Sequence, residues 1–166
     1  MSEHKYEMMV VAFENEDEAE RVLDTLKRLD RKDIVDLKSA AVIVRPGSGK
    51  VKIKETKDFD AKQGAIGGAL AGGVLGLLKG RWLKGAILGA AGGAVAGKVV
   101  DLGVEDDFLK EVAEGLGPGS SAIVALVDFE RIDAAMEELD KFEGGRILRH
   151  RLSGEVYRKL SDAVED

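Results

Sequence analysis

Glycine recurs at every fourth position through the middle of the chain. A step of four places successive residues on nearly the same face of a helix, and a face without side chains lets two helix backbones approach closely. Residues 61–100 are therefore predicted to form a helical hairpin, a glycine zipper, whose two arms pack through glycine. The glycines assigned to helix packing and oligomerisation are Gly64, Gly68, Gly72, Gly76 and Gly80 in the first arm and Gly85, Gly89, Gly93 and Gly97 in the second.

Placing glycine at these positions of a helix costs free energy, and a flexible linker would not need glycine at a regular step of four. Glycine inside a helix is less favourable than alanine by about 1 kcal/mol, so nine such glycines require compensating contacts. Leucine, isoleucine and valine are interleaved between the glycines, as expected of helices that bury apolar faces. A close-packed hairpin is therefore favoured over a flexible glycine–alanine linker.

Charge is segregated between the predicted hairpin and the rest of the chain. The whole chain has a formal net charge of −6, but residues 61–100 contain five basic residues and no carboxylate. The remaining residues hold all 31 carboxylates and 20 basic side chains, which is a formal charge of −11. The sequence has no broad basic surface with interleaved aromatic residues, so nucleic acid is not expected as a partner.

The predicted hairpin tip combines cations with the single tryptophan of the chain. The uncharged arms, 64–78 and 85–97, contain 15 and 13 residues, whereas a membrane-spanning helix needs about 20 apolar residues. A double span would also bring the charges of the tip through the hydrocarbon layer. Cations beside a tryptophan suit either an anionic lipid headgroup layer or a contact between subunits. The residues assigned to that surface are Lys79, Arg81, Trp82 and Lys84.

The sequence on either side of the hairpin predicts strands alternating with amphipathic helices. Asn15 followed by Glu18 is typical of a helix start, and Gly117 before Pro118 is typical of a helix end. Alternating or continuous apolar runs predict the strands. The predicted order is strand 6–13, a helix with the apolar stripe Ala19, Val22, Leu23, Leu26 and Leu29, strands 35–44 and 51–55, a helix over 108–116, strand 121–129, a helix over 132–142, strand 146–152 and a terminal helix.

Two of these segments resemble each other and indicate the fold. Residues 8–14 and 123–130 are similar apolar strands, and each precedes a helix and another strand. This weak repeat predicts an α+β fold, specifically a ferredoxin-like split β-α-β sandwich with helices on one face of an antiparallel sheet. The first half of this body is assigned to residues 1–60, the inserted glycine-zipper hairpin to 61–100 and the second half to 101–166.

No residue pattern identifies a catalytic, cofactor-binding or metal-binding site. The chain contains no cysteine, which excludes disulfides and thiolate metal sites and suits a reducing cytoplasm. The run Gly47–Lys50 imitates the end of a phosphate-binding loop, but Val51 stands where that motif needs serine or threonine. His150 lies between two arginines without an acidic residue to orient it, which disfavours a general base. We therefore expect neither enzyme activity nor a cofactor.

Nearly the whole chain resembles a prokaryotic family of uncharacterised proteins. The resemblance implies a domain of unknown function that is often described as a predicted membrane protein, and it implies no catalytic residues. The segments that resemble the family are Val-Val-Ala-Phe at 10–13, Ala-Ala-Val-Ile-Val at 40–44, Gly-Gly-Ala-Leu-Ala-Gly-Gly at 67–73, Asp-Asp-Phe at 106–108 and Pro-Gly-Ser-Ser-Ala at 118–122.

Three functions are compatible with these patterns. The leading hypothesis is a non-enzymatic cytoplasmic protein that forms homo-oligomers through the hairpin, because apolar faces outside the glycine contact need a second subunit to cover them. The second hypothesis is a membrane-associated protein whose hairpin lies on or in an anionic bilayer. The third is a ligand-binding or enzymatic α+β domain that uses the hairpin only as an oligomerisation arm.

Overall fold

The computed structural model describes residues 6–47, 51–55, 66–68, 70–72, 106–142, 144–155, 157–158 and 162. These residues form an α+β fold, which confirms the predicted class. Helical backbone is also present at 66–68 and 70–72, and a short 3-10 turn leads from β4 into α3. The elements are β1 (Tyr6–Phe13), α1 (Glu18–Arg31), β2 (Leu37–Arg45), β3 (Lys52–Glu55), α2 (Asp106–Gly115), β4 (Ser120–Asp128), α3 (Ile132–Leu139) and β5 (Arg146–Leu152).

The strands form one five-stranded sheet in the order β3-β2-β4-β1-β5. Every neighbouring pair is antiparallel. β1 lies between β4 and β5, and β4 lies between β1 and β2, so strands of the two halves of the chain alternate over β2-β4-β1-β5, with β3 added beside β2. The pairing of β2 with β4 shifts between Leu37 and Ser39, so Lys38 is passed over in the ladder.

Asn15, the predicted cap, lies just before helix α1, which begins at Glu18 with Asp17 as its N-cap residue. The side-chain oxygen Oδ1 of Asn15 accepts hydrogen bonds from the backbone N–H of Asp17 at 3.0 Å and of Glu18 at 2.7 Å. These bonds satisfy donors that a helix start leaves without an intrahelical partner. The predicted apolar stripe is buried in full at Ala19, Val22, Leu23, Leu26 and Leu29.

Helices α1 and α3 cover one face of the sheet, which we call the α1 face. Met9, Val11 and Phe13 of β1 point to this face and pack with both helices. The α3 side chains that pack there are Ile132, Ala135 and Leu139.

The opposite face of the sheet, which we call the α2 face, is also covered. Its strand residues include Met8, Val10 and Ala12 of β1, which alternate with those of the α1 face. The cover comes from α2 and the turn after it, from the partly buried Tyr157, and from the helical residues between 66 and 71. Helices on one face alone were expected, but β1, which is apolar except for Glu7 and the hydroxyl of Tyr6, is buried at every position because both faces of the sheet are covered.

Candidate assembly site

Two of the residues assigned to the glycine zipper lie within the described part of the chain. Gly68 and Gly72 both have helical backbone and both are buried. The other assigned residues lie outside the described residues, so their assignment stays a prediction. They are Gly64, Gly76, Gly80, Gly85, Gly89, Gly93 and Gly97 of the arms and Lys79, Arg81, Trp82 and Lys84 of the tip.

The described start of the glycine-rich segment belongs to the core of the body. Ile66, Leu70 and Ala71 are each 0% exposed and pack into the cluster on the α2 face. Residues 66 and 70 are four positions apart and therefore lie on the same side of the helix. Because both pack into this cluster, that side of the helix faces the sheet. We call Ile66, Leu70 and Ala71 the anchor, because they hold the beginning of the first arm against the sheet.

Gly67 brings the helix backbone exceptionally close to β2. A Cβ atom at Gly67 would lie 2.5 Å from Ser39 Oγ and 2.7 Å from the carbonyl oxygen of Ala40. No side chain fits in that space unless the helix or the strand moves. Sequence reasoning missed this contact because Gly67 lies outside the step of four, although the pair Gly67-Gly68 is visible in the sequence.

Gly68 and Gly72 lie on another side of the helix from the anchor. An α-helix turns by about 100° per residue, so these glycines point about 130° and 170° away from the mean direction of residues 66, 67, 70 and 71. Both are nevertheless buried. The described part of the arm therefore has one buried side on the sheet and buried glycines on the other side.

A polar cleft of about 450 Å³ opens where β1 ends and β4 and β5 begin, on the α2 face. Three of the nine lining residues are glycines, so backbone atoms form part of the wall of the cleft. Its charged residues come from three parts of the chain: the loop after β1, helix α2 and the start of β5. The cleft is lined by Ala12, Glu14, Glu114, Gly115, Gly117, Pro118, Ser120, Gly144 and Arg146.

The end of β2 fixes the loop that forms one wall of this cleft. The side-chain Nη1 of Arg45 donates a hydrogen bond to the carbonyl oxygen of Leu116 at 2.7 Å, and the carbonyl oxygen of Arg45 accepts one from the N–H of Gly119 at 2.7 Å. Burial lowers the pKa of Arg45 below its ordinary value. Ser120 Oγ adds a hydrogen bond to the carbonyl oxygen of Gly117, which closes the turn.

Charges of both signs line the cleft. Arg146 Nη1 lies 3.6 Å from Glu114 Oε2 and donates to the carbonyl oxygen of Glu111 at 3.4 Å. Glu14 makes no hydrogen bond or ion pair within the described part of the chain. The carboxylate of Glu114 is thus offset by Arg146.

A second polar contact stabilises the sheet at β5. Arg149 donates two hydrogen bonds to the carboxylate of Glu7, from Nε to Oε1 and from Nη2 to Oε2. The hydrogen bond to Glu7 is the main reason that the pKa of Arg149 is raised above its ordinary value, and the charges of Glu7 and Asp133 add to it. This pair fastens an edge strand to its neighbour, and no ligand is needed to explain it.

The described residues contain no group of three or more acidic or histidine side chains placed to hold a metal ion. Among the helices that the structure describes, none is both long enough and apolar enough to cross a membrane. Two features of the described residues are candidate sites, namely the anchored start of the glycine-rich segment and the polar cleft.

Comparison with known proteins places the chain in a family. The model of the family described as "Protein of unknown function (DUF1269)" matches residues 65–165, so the chain belongs to this family. The match begins within the glycine-rich segment and continues through the second half of the body. Neither the curated proteins nor the solved structures include a match to this chain.

Proposed function

We propose that this protein is a non-enzymatic, self-assembling protein that forms homo-oligomers through the glycine-zipper hairpin of residues 61–100. The observation that most strongly supports the glycine contact of this hairpin is the burial, within one chain, of Gly68 and Gly72 on the side of the helix turned away from the anchor. A glycine face can be buried closely only by another backbone or a flat apolar surface. The second arm, 85–97, has glycine at the same step of four and is the proposed partner.

The proposed body is a ferredoxin-like pair of β-α-β units that interlock in one sheet. Without β3, the strand order is β2-β4-β1-β5, so β1 and β2 flank β4 while β4 and β5 flank β1. The connecting helices α1 and α3 pack on the same face. Both features support two split units, with the hairpin inserted between them and anchored on the α2 face.

Oligomer formation follows from what the zipper leaves uncovered. When two glycine faces meet, the leucine, isoleucine and valine side chains of each arm project to other sides. Among the described residues of the first arm, Ile66, Leu70 and Ala71 are covered by the sheet. Continuous apolar surface of this kind is covered by another subunit in soluble assemblies. We place these assemblies in the cytoplasm, in keeping with a chain that has no cysteine.

The mass of the particle after lysis without detergent tests this function. Light scattering after size exclusion should show a homo-oligomer, and Gly72→Leu or Gly89→Leu should reduce its mass because added methylenes force the arms apart at a cost of about 1–3 kcal/mol. Gly47→Leu is the control, because a Cβ at Gly47 would meet nothing within 4 Å. A monomeric parent protein, or a Gly72→Leu variant that assembles and melts like the parent, would contradict the proposal.

The composition of the tip favours association with an anionic membrane as the second candidate function. Lys79, Arg81 and Lys84 surround Trp82, and the hairpin has no carboxylate to pair with them. Sedimentation with anionic vesicles at low salt would support membrane association, and changing the three cations to glutamine should then abolish binding. Particle mass that depends on the three cations, without vesicle binding, would support a contact between subunits instead.

A further inference from the structure

Strand β5 forms a long open edge of the sheet. It is seven residues long, lies last in the order β3-β2-β4-β1-β5 and pairs with β1 alone among the described strands. The outward N–H and C=O groups of an edge strand can pair with a strand of another molecule, so a long open edge is a route to uncontrolled association. The opposite edge, β3, has only four residues, and Lys52 and Lys54 on it are exposed. Short length and exposed lysines both disfavour pairing at β3, so β5 is the edge that most needs protection.

The ion pair between Glu7 and Arg149 lies at this open edge. Arg149 reaches from β5 to β1, where its Nε and Nη2 donate to the two carboxylate oxygens of Glu7, the second at 3.1 Å. The Glu7 side chain is 3% exposed, whereas the Arg149 side chain is 38% exposed. An arginine has five N–H donors, so Glu7 leaves three of them to be satisfied elsewhere.

Pairing of another strand with β5 would be unfavourable because of Arg149. A strand laid beside β5 would cover the exposed part of the guanidinium and remove water from its remaining donors. Taking a charged group out of water without supplying new hydrogen-bond partners costs free energy. The charge is therefore tolerated while the edge is open and is penalised when the edge is covered.

Stability alone does not account for an ion pair at this position. Replacing both members of a buried ion pair by apolar side chains of similar size is often neutral or even stabilising. Here that replacement would put an apolar side chain at the exposed position 149, on the same face as the partly buried Ile147 of the same edge strand. A long apolar edge of this kind is prone to pair with other molecules. We propose that the ion pair of Glu7 and Arg149 closes the β5 edge to strand pairing, so that copies of this protein do not join through β5.

This inference goes beyond the proposed function and does not depend on it. In an oligomer, the closed edge restricts contacts between subunits to surfaces other than β5. In a monomer, it prevents growth of the sheet from one molecule to the next. A monomeric parent protein would thus contradict the proposed self-assembly and leave the closed edge unaffected.

Amide hydrogen exchange of the full-length parent protein in its native particle tests whether the edge is open. Along β5, amides bonded to β1 alternate with amides directed outward. We expect the outward amides to exchange much faster than the amides bonded to β1. Equal protection of the two sets would show that another strand lies along β5, and the inference would then be wrong.

A double variant tests whether the ion pair is what closes the edge. Glu7→Leu with Arg149→Leu removes one carboxylate and one cation, so the net charge stays the same. We expect the folded variant to associate through β5, with a particle mass at least about two-fold that of the parent in light scattering at the same concentration. The matched control is Asp24→Leu with Arg28→Leu, two exposed positions of α1. It makes the same change of charge and adds the same apolar groups on a helix, whose backbone is already paired internally, and it should keep the parent's mass.

Two outcomes of this comparison would overturn the inference. A folded edge variant with the mass of the parent would show that the ion pair does not prevent pairing. Equal growth of the edge variant and the α1 control would show a general attraction between apolar surfaces instead of pairing at β5. Circular dichroism and thermal melting establish that each variant is folded, and if the edge variant does not fold, the exchange pattern of the parent decides.

Discussion

Arg149 on the edge strand β5 binds the carboxylate of Glu7 on β1 through both of its carboxylate oxygens, although Glu7 is only 2% exposed. The two residues are 142 positions apart in the sequence and join the first strand of the body to the last. A buried carboxylate is tolerated when its oxygens accept hydrogen bonds and a cation offsets its charge. This pair therefore adds a side-chain link to the backbone ladder between β1 and β5.

Removing the cation should destabilise the protein more than neutralising the carboxylate. Arg149→Met leaves the Glu7 carboxylate buried without its partner, and we expect a loss of about 2–3 kcal/mol in the free energy of unfolding. Glu7→Gln keeps a hydrogen-bond acceptor for Arg149 and should cost less. Urea denaturation of both variants measures the difference. An Arg149→Met variant that is as stable as Glu7→Gln would contradict this account.

Close packing of the first arm against β2 should make Gly67 intolerant of any side chain. Gly67→Ala would place a methyl group within 3 Å of both Ser39 Oγ and the Ala40 carbonyl. The Ala40 atoms are backbone and cannot rotate away, so we expect a loss of about 1–3 kcal/mol. Gly117→Ala, which meets no neighbour, serves as the control in the same denaturation experiment. Equal stability of the two variants would show that the arm is not held against β2.

The anchor should contribute to the stability of the body as a core residue does. Leu70 is 0% exposed on the α2 face, just as Leu26 of α1 is 0% exposed on the α1 face. Leu70→Ala and Leu26→Ala should therefore each lower the free energy of unfolding by about 2–5 kcal/mol. If Leu70→Ala melts like the parent while Leu26→Ala does not, the glycine-rich segment is attached to the body only through its ends in the chain.

Local pattern in the sequence was enough to predict the strands and helices of the described body, but not which surfaces they cover. The α1 stripe from Ala19 to Leu29 is a repeat within one helix, so its burial could be predicted from spacing alone. Helices were expected on one face of the sheet only, because the spacing within each element does not show that residues near 66 and 112 cover the second face. The partnership of Glu7 and Arg149 depends on the register of two distant strands, which no local pattern specifies.

A buried serine links the start of α1 to β4 through two hydrogen bonds, so removing its hydroxyl group should lower the free energy of unfolding. Ser121 is 0% exposed; its Oγ donates to the carbonyl oxygen of Asn15 at 2.7 Å and accepts from the N–H of Ala19 at 3.2 Å. Ser121→Ala would leave the Asn15 carbonyl and the Ala19 N–H without this partner, so we expect a loss of about 1–3 kcal/mol. Amide hydrogen exchange should accelerate at Ala19 more than at Leu29, at the far end of the helix. Uniform acceleration along α1 would mean that Ser121 supports the whole helix and not its first turn.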